Sequence, residues 1–201
     1  SFIENDWSLK KLHRLIVTSQ AYQQDSKIES GTSKQFLRQR LEAEIIRDSA
    51  LKASSLLSEK MFGPPVRPLQ PPGVSEVAYG GRKWKASNGV DRYRRSVYIY
   101  QKRTAPFAFL TTFDAGSGEA CLAKRDRSNT SLQALSLMND PMFIEIAENF
   151  GKLLEKNTGG LEEKITLAFR RLLTRPPTKD ELRLLSEFHQ KHKSWPALTR
   201  A

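Results

Sequence analysis

The fold of this chain depends on the stretch Asp91-Arg-Tyr-Arg-Arg-Ser-Val-Tyr98, which combines three arginines with two aromatic rings. It lies within a longer segment, from Trp84 to Pro141, that concentrates arginine, aromatic, aspartate and asparagine residues. Neither a helix with one apolar face nor a disordered linker requires this density. We therefore expect the segment to be either the polar core of the fold or the place where the chain binds a ligand.

The chain carries a strong excess of positive charge. Its 201 residues include 33 Lys and Arg against 22 Asp and Glu, which is a formal net charge of +11. Such a balance indicates an anionic partner, for example nucleic acid, acidic polysaccharide, acidic lipid or another protein. The alternative from charge alone is a basic surface that keeps the protein in solution and has no particular partner.

Cysteine usage limits the chemistry of the chain. Cys121 is the only cysteine, so an internal disulfide, a cysteine zinc cluster and a Cys-x-x-Cys-His haem attachment are all excluded. No apolar run approaches the roughly 20 residues of a membrane span. We expect no metal site and no cofactor in this chain. Because the sequence opens on Ser1-Phe-Ile-Glu4, without an initiator Met or a signal peptide, we interpret it as a segment of a longer protein.

Apolar periodicity predicts N-terminal helices within residues 5–58. Leucine and isoleucine recur at three- and four-residue steps over residues 9–16, which is typical of an amphipathic helix. A second, longer helix is predicted from Ser33 to Ser58. Its apolar residues, Leu41 and Ile45 among them, surround the helix on all sides, so we expect it to be buried.

The middle of the chain, residues 63–129, is predicted to be irregular and basic. Proline and glycine are frequent from Gly63 to Gly81, and they interrupt helices and strands. Val97-Tyr-Ile-Tyr100 is the best candidate for a strand, because β-branched and aromatic residues favour pleated structure. We expect its partner near Lys83 to Lys85.

Helices are predicted again over residues 130–193. Thr130-Ser-Leu-Gln133 and Thr178-Lys-Asp-Glu181 match the capping box that opens a helix. Asp140-Pro141 matches a cap followed by a first-turn proline. The sequence thus predicts a single domain over residues 1–201 of mainly α class: a helical domain with a long irregular basic segment and a minor β element.

Glu44 and Asp48 lie four residues apart, so their carboxylates meet on one face of the predicted buried helix. A buried carboxylate pair can separate its two pKa values for acid–base work, or hold a metal ion. The alternative is structural, because buried charges require partners of opposite sign. The arginines available as such partners are Arg40, Arg47, Arg94, Arg95 and Arg127.

The central segment also supplies candidate ligand-binding residues. Guanidinium groups bind sulfate, carboxylate or phosphate through parallel hydrogen bonds, and aromatic rings stack on sugars or bases. The alternatives are again structural, because loop arginines also bond backbone carbonyls and aromatic residues also fill cores. The candidates are Trp84, Arg92, Tyr93, Arg94, Arg95, Tyr98, Arg103, Asp114, Arg127 and Asn129.

Several blocks of sequence in one order carry a family resemblance. They include Asp91-Arg-Tyr-Arg-Arg95, Phe113-Asp114 and Asn139-Asp-Pro141. Further blocks lie at residues 8–22, 40–48, 63–65, 127–135 and 169–177. In these blocks the chain resembles the C-terminal part of the domain of unknown function 1553, which occurs in large exported proteins of planctomycetes and related bacteria.

The resemblance implies an exported or periplasmic, cytochrome-c-associated multidomain protein. It places haem c on a separate domain of that protein, and it implies no settled activity, so whether the chain takes part in a reaction stays open. The leading hypothesis is a non-catalytic or catalytic-support portion that recognises anionic polysaccharide through the arginine and aromatic segment, or docks the haem domain.

Two alternatives to this hypothesis belong to other classes of function. One is a purely structural helical scaffold that docks neighbouring domains of the same polypeptide. The other, nucleic-acid binding, fits the charge but lacks a recognisable module. If the arginines of the segment are buried and paired with carboxylates, the scaffold is favoured. An open concavity lined by two or more of them and an aromatic ring favours ligand binding.

Overall fold

The structure is a computed structural model that describes residues 2–23, 39–74 and 83–200. The chain divides into two compact units, Ser1–Arg40 and Leu41–Ala201. In the first unit, helix α1 spans Leu9–Val17, which confirms the predicted helix. It begins after Ser8, whose hydroxyl accepts a hydrogen bond from the Lys11 amide.

The second unit is built mainly from helices, so the mainly α prediction is confirmed. No helix among residues 2–23, 39–74 and 83–200 is both long and apolar enough to cross a membrane. The helices of this unit are α2 (Ala43–Ala53), α3 (Ala108–Thr112), α4 (Ser131–Asn139), α5 (Pro141–Lys156), α6 (Leu161–Leu172), α7 (Lys179–His192) and α8 (Trp195–Arg200).

The helix predicted from Ser33 to Ser58 is confirmed over the residues of α2, and its predicted ends are wrong where the structure describes them. Residues 33–38 lie outside the described residues, and residues 39–42 are not helical. At the other end Ser55 adopts a positive φ of 59°, which ends the helix and turns the chain. The basic segment therefore starts close behind α2.

The expectation that α2 is apolar and buried on all sides is also wrong. Its buried face holds Ala43, Arg47 and Leu51, which are spaced by four residues along one side of the helix. Leu41 and Ile45 are exposed. The buried side of α2 thus contains a charged residue at its centre.

The predicted strand Val97–Tyr100 does not form. Residues Ser96–Tyr98 make a 3-10 turn, and Ile99 is joined by an isolated parallel bridge to Val66, not to the expected segment 83–85. The reason is that the Ser96 amide donates to a carboxylate of α2, so it is unavailable for a ladder of strand hydrogen bonds. The β element of the described residues consists of two such bridges, this one and Ser58–Arg94.

The C-terminal helices follow the sequence predictions closely. The capping boxes at Thr130 and Thr178 are both formed, and Asp140 caps α5 by accepting from the Met142 amide. Helix α5 connects two hydrophobic clusters: its first half packs with α2 and α3, and its second half packs with α6 and α8.

Helix α8 was not predicted, and its position depends on Gly151 of α5. A side chain at Gly151 would place its Cβ 2.6 Å from the Pro196 nitrogen, so only glycine lets α8 approach this closely. Trp195 and Leu198 of α8 are buried in the second cluster.

A hydrogen-bonded carboxylate at the start of α7 gives this helix pH-dependent stability. Glu181 accepts two hydrogen bonds from Arg175, at 2.6 and 2.7 Å, and one from the Thr178 amide. The arginine contact lowers the pKa of Glu181 from 4.5 to about 2. Because the folded pKa lies below the ordinary value, the stabilisation is complete above pH 4.5 and is lost as the pH falls toward 2.

We therefore expect Glu181→Gln to lower the unfolding temperature at about pH 6 and to flatten its further decrease between about pH 4.5 and 2. Thermal unfolding followed by circular dichroism across this range measures both effects. Glu187→Gln, also on α7 and exposed, is the matched control. Equal pH profiles for the two variants would contradict the prediction.

Candidate functional site

The arginine-rich segment 91–98 is bound to α2 through Arg47, whose side chain is fully buried. Its guanidinium donates to the carbonyl oxygens of Arg94, at 2.8 Å, and Arg92, at 2.9 Å. It also donates to the Ser96 hydroxyl at 3.2 Å, and its Nε contacts the Met142 sulfur at 3.2 Å. These two carbonyls receive no hydrogen bond from a helix or a sheet, and Arg47 supplies the donor for both.

Asp48 completes this contact from the same helix. Its carboxylate accepts from the Ser96 amide at 2.9 Å and from the Ser96 hydroxyl at 2.7 Å. It also lies 3.4 Å from Nη1 of Arg47. The segment is thus bound by a cation and an anion that neutralise each other.

Burial affects the titration of the charged groups around Arg47. It lowers the pKa of Arg47 to about 10, against the opposing effect of Asp48. It also raises the pKa of Asp140, the cap of α5, whose charge counteracts the lowering of the pKa of Arg47. Because a pKa of about 10 is still well above neutral, Arg47 is a buried cation at neutral pH.

Arg94 is also buried, and its guanidinium binds the backbone of residues 60–64. Its guanidinium donates to the carbonyl oxygen of Pro64 at 3.1 Å and to those of Lys60 and Phe62. It stacks on the ring of Tyr98 at 3.9 Å. The Tyr98 hydroxyl in turn accepts from the Phe62 amide at 2.9 Å, so this ring and cation are both engaged within the fold.

Arg92 and Tyr93 share one carboxylate on α5. Arg92 donates to Glu145 and to the Tyr93 hydroxyl, and that hydroxyl donates to the same Glu145 oxygen at 2.7 Å. Burial, followed by the contact with Glu145, raises the pKa of Tyr93. Glu145 was not among the predicted residues, and its position in the apolar first half of α5 was the available signal.

Glu44 and Asp48 have separate partners and are half-buried, where the sequence predicted a buried pair. Nη1 of Arg125 donates to Glu44 at 2.8 Å and lies 3.7 Å from Glu42. Because Ala43 and Arg47 occupy the centre of the buried face, the two carboxylates lie at its edge. Arg125, rather than any of the five arginines considered, is the partner of Glu44.

Trp84 and Asp114 also have structural contacts. The Trp84 indole donates to the Pro68 carbonyl at 2.7 Å, and its ring stacks on Phe107 with centroids 5.8 Å apart. Asp114 accepts from the amide and the hydroxyl of Ser128, both at 2.8 Å. It has a positive φ of 60°, a conformation that aspartate tolerates better than most residues.

The remaining candidates lie at the surface. Arg95 is exposed, and its charge acts on the nearby Glu59. Arg103, Arg127 and Asn129 are also exposed. The candidates are therefore divided between the interior and the surface.

Metal binding has no support among residues 2–23, 39–74 and 83–200, which hold no group of three or more His, Cys, Asp or Glu side chains with suitable geometry. The three histidines of the chain are spread over α1 and α7.

Replacing Arg47 by methionine tests the buried contact. We expect Arg47→Met to lower the free energy of unfolding by about 3 kcal/mol or more, because two carbonyls and Asp48 lose their buried partner. Urea denaturation followed by fluorescence measures this change. Arg170→Met, an exposed position on α6, is the control, and a similar small change in both variants would contradict the assignment.

Comparison with known proteins assigns the chain to a family. A family model matches residues 1–189, which include the Arg47 contacts and the whole arginine-rich segment. Neither the curated proteins nor the solved structures contain a match. The resemblance seen in the sequence blocks is confirmed by this match, which extends well beyond half of the chain. The chain belongs to the family described as protein of unknown function (DUF1553).

Proposed function

We propose that this chain is a non-catalytic helical scaffold of a longer protein, in which the arginine-rich segment is the polar core of the fold. The observation that carries the proposal is the engagement of the two buried arginines. Arg47 and Arg94 donate to five backbone carbonyls between them. The N–H groups that make these bonds are directed to the carbonyls of the fold itself, and Nε of Arg94, which has no hydrogen-bond partner, is buried and so not exposed to an incoming ligand.

The aromatic residues support the same proposal. A platform for sugars or bases requires open ring faces. Tyr98 has Arg94 against one face, and Trp84 has Phe107. The Tyr93 hydroxyl is bonded to Glu145. These contacts connect the segment to its own fold, which is the role expected of a scaffold.

The finer expectations from the family resemblance stay predictions. They are export of the longer protein, association with a cytochrome c domain and recognition of anionic polysaccharide. The scaffold proposal is compatible with the first two, because docking a neighbouring domain requires only surface residues. Among the candidate residues, recognition of polysaccharide would fall to the exposed Arg95, Arg103, Arg127 and Asn129.

The neighbouring residues Arg94 and Arg95 provide a matched test, since one is buried and the other exposed. We expect Arg94→Met to speed amide hydrogen exchange and limited proteolysis in the loop 60–64, because three carbonyls there lose their donor. Arg95→Met is expected to leave both measurements close to those of the wild type.

A binding assay complements this comparison. A panel of sulfated and carboxylated polysaccharides is titrated into the wild-type chain, into both variants and into Arg94→Lys, and thermal stability is recorded. The scaffold proposal predicts no saturable shift that depends on Arg94. A polysaccharide that stabilises the wild type and fails to stabilise a folded Arg94→Lys variant would overturn it.

A further inference from the structure

Three short segments of the second unit lie side by side and are joined by backbone hydrogen bonds. The middle one is residues 66–68. On one side Val66 exchanges hydrogen bonds with residues 98–100: its amide donates to the Tyr98 carbonyl and its carbonyl accepts from the Tyr100 amide, both at 2.8 Å. On the other side the Ser87 amide donates to the Arg67 carbonyl at 2.8 Å. We call residues 66–68, 84–87 and 98–100 the three-segment element.

The side chains of this element alternate between the core and the surface. Val66 and Ile99 are buried, and Trp84 stacks on Phe107 in the first hydrophobic cluster. Alternation therefore directs their neighbours in sequence away from the core. Arg67 and Tyr100 meet on that outer side, with the guanidinium 4.4 Å from the ring centroid.

The outer face is strongly cationic. Ser87 lies opposite Arg67, whose side chain is on the outer side. Because side chains alternate, Lys85, two residues before Ser87, is also on the outer side, and it is exposed. Lys102 and Arg103 follow Tyr100 along the chain, and Lys83 precedes Trp84. Neither Arg67 nor any of these four cations has an acidic partner among the described residues. By contrast, Arg47, Arg92 and Arg125 are each bonded to a carboxylate.

We propose that the outer face of the three-segment element, formed by Arg67, Lys85, Tyr100 and Lys102, binds an acidic segment of a partner protein. The proposal deepens the scaffold function, on which it rests, by naming the docking surface and the chemistry of the partner. Charge complementarity carries it: Arg67 and Lys85 share the outer side, Lys102 lies two residues beyond Tyr100, and none of the three has an acidic partner among the described residues. Carboxylates are the natural partners of such cations.

The ring on this face distinguishes between classes of polyanion. A sugar or a base that stacks on an aromatic residue needs an open ring face. On the outer side Arg67 already covers the Tyr100 ring. Recognition through charge alone, together with the docking role of the scaffold, favours an Asp- and Glu-rich protein segment over a glycan or a nucleic acid.

The test uses the full chain and fluorescein-labelled poly-L-glutamate, with binding followed by fluorescence anisotropy at low salt. We expect the double variant Lys85→Glu/Lys102→Glu to weaken binding by about tenfold or more, since two attractive contacts become repulsive. Lys152→Glu/Lys179→Glu, two exposed lysines on α5 and α7, makes the same change in net charge and is expected to weaken binding by less than about threefold.

Equal losses in the two double variants would overturn the proposal, because binding would then follow net charge alone. Tighter binding of dextran sulfate or single-stranded DNA, with loss confined to the Lys85/Lys102 variant, would overturn the assignment to an acidic protein. Both double variants keep the Arg94 contacts. A failure here therefore leaves the scaffold proposal standing, and a failure of that proposal appears in the Arg94 variants.

Discussion

The buried guanidinium of Arg47 is the constraint on which the rest of the second unit depends. The segment 92–96 has almost no ladder hydrogen bonds, so its carbonyls need donors from elsewhere. Arginine offers five N–H groups in a planar arrangement, and Arg47 uses them on two carbonyls and one hydroxyl. Burying the charge is unfavourable, and it is tolerated because Asp48 and the carbonyl dipoles surround it. One side chain thereby sets the distance between α2 and the segment.

The parts of the fold that could be predicted from sequence are those whose signals are local. The capping boxes at Thr130 and Thr178 and the Asp140-Pro141 pair place three helix starts correctly, because each cap involves residues within one turn. Helix α8 escaped prediction because it has only six residues, and its docking depends on the absence of a side chain at Gly151. Gly151 lies some 45 residues before α8, and the sequence does not show that the two come into contact in the packed structure.

The candidate site was predictable in its residue types and only partly in its pairings. Arginines were expected to meet the carboxylates of α2, and Asp48 does contact one, its neighbour Arg47. Glu44, however, pairs with Arg125, because the loop before α4 returns to α2 and the segment 92–96 contacts the next turn of the helix. Spacing within a helix shows which side chains share a face, but it does not show which distant residue reaches that face. The strand predicted at 97–100 failed for a related reason, since a distant carboxylate captures the amide of the preceding serine.

The location of each cation, rather than the density of arginine in the sequence, separates structural from functional charge in this protein. The carbonyl groups of an irregular segment lack the donors that a helix or a sheet supplies, and arginine, with five N–H groups, is the side chain best suited to bond them. Buried arginines such as Arg47 and Arg94 are therefore required by the fold, and changing them alters stability whatever the protein binds. Cations on an outer face, such as Lys85, satisfy no carbonyl and lack a carboxylate among the described residues. Charge at such positions is not explained by folding, so interaction with a partner is to be sought there first.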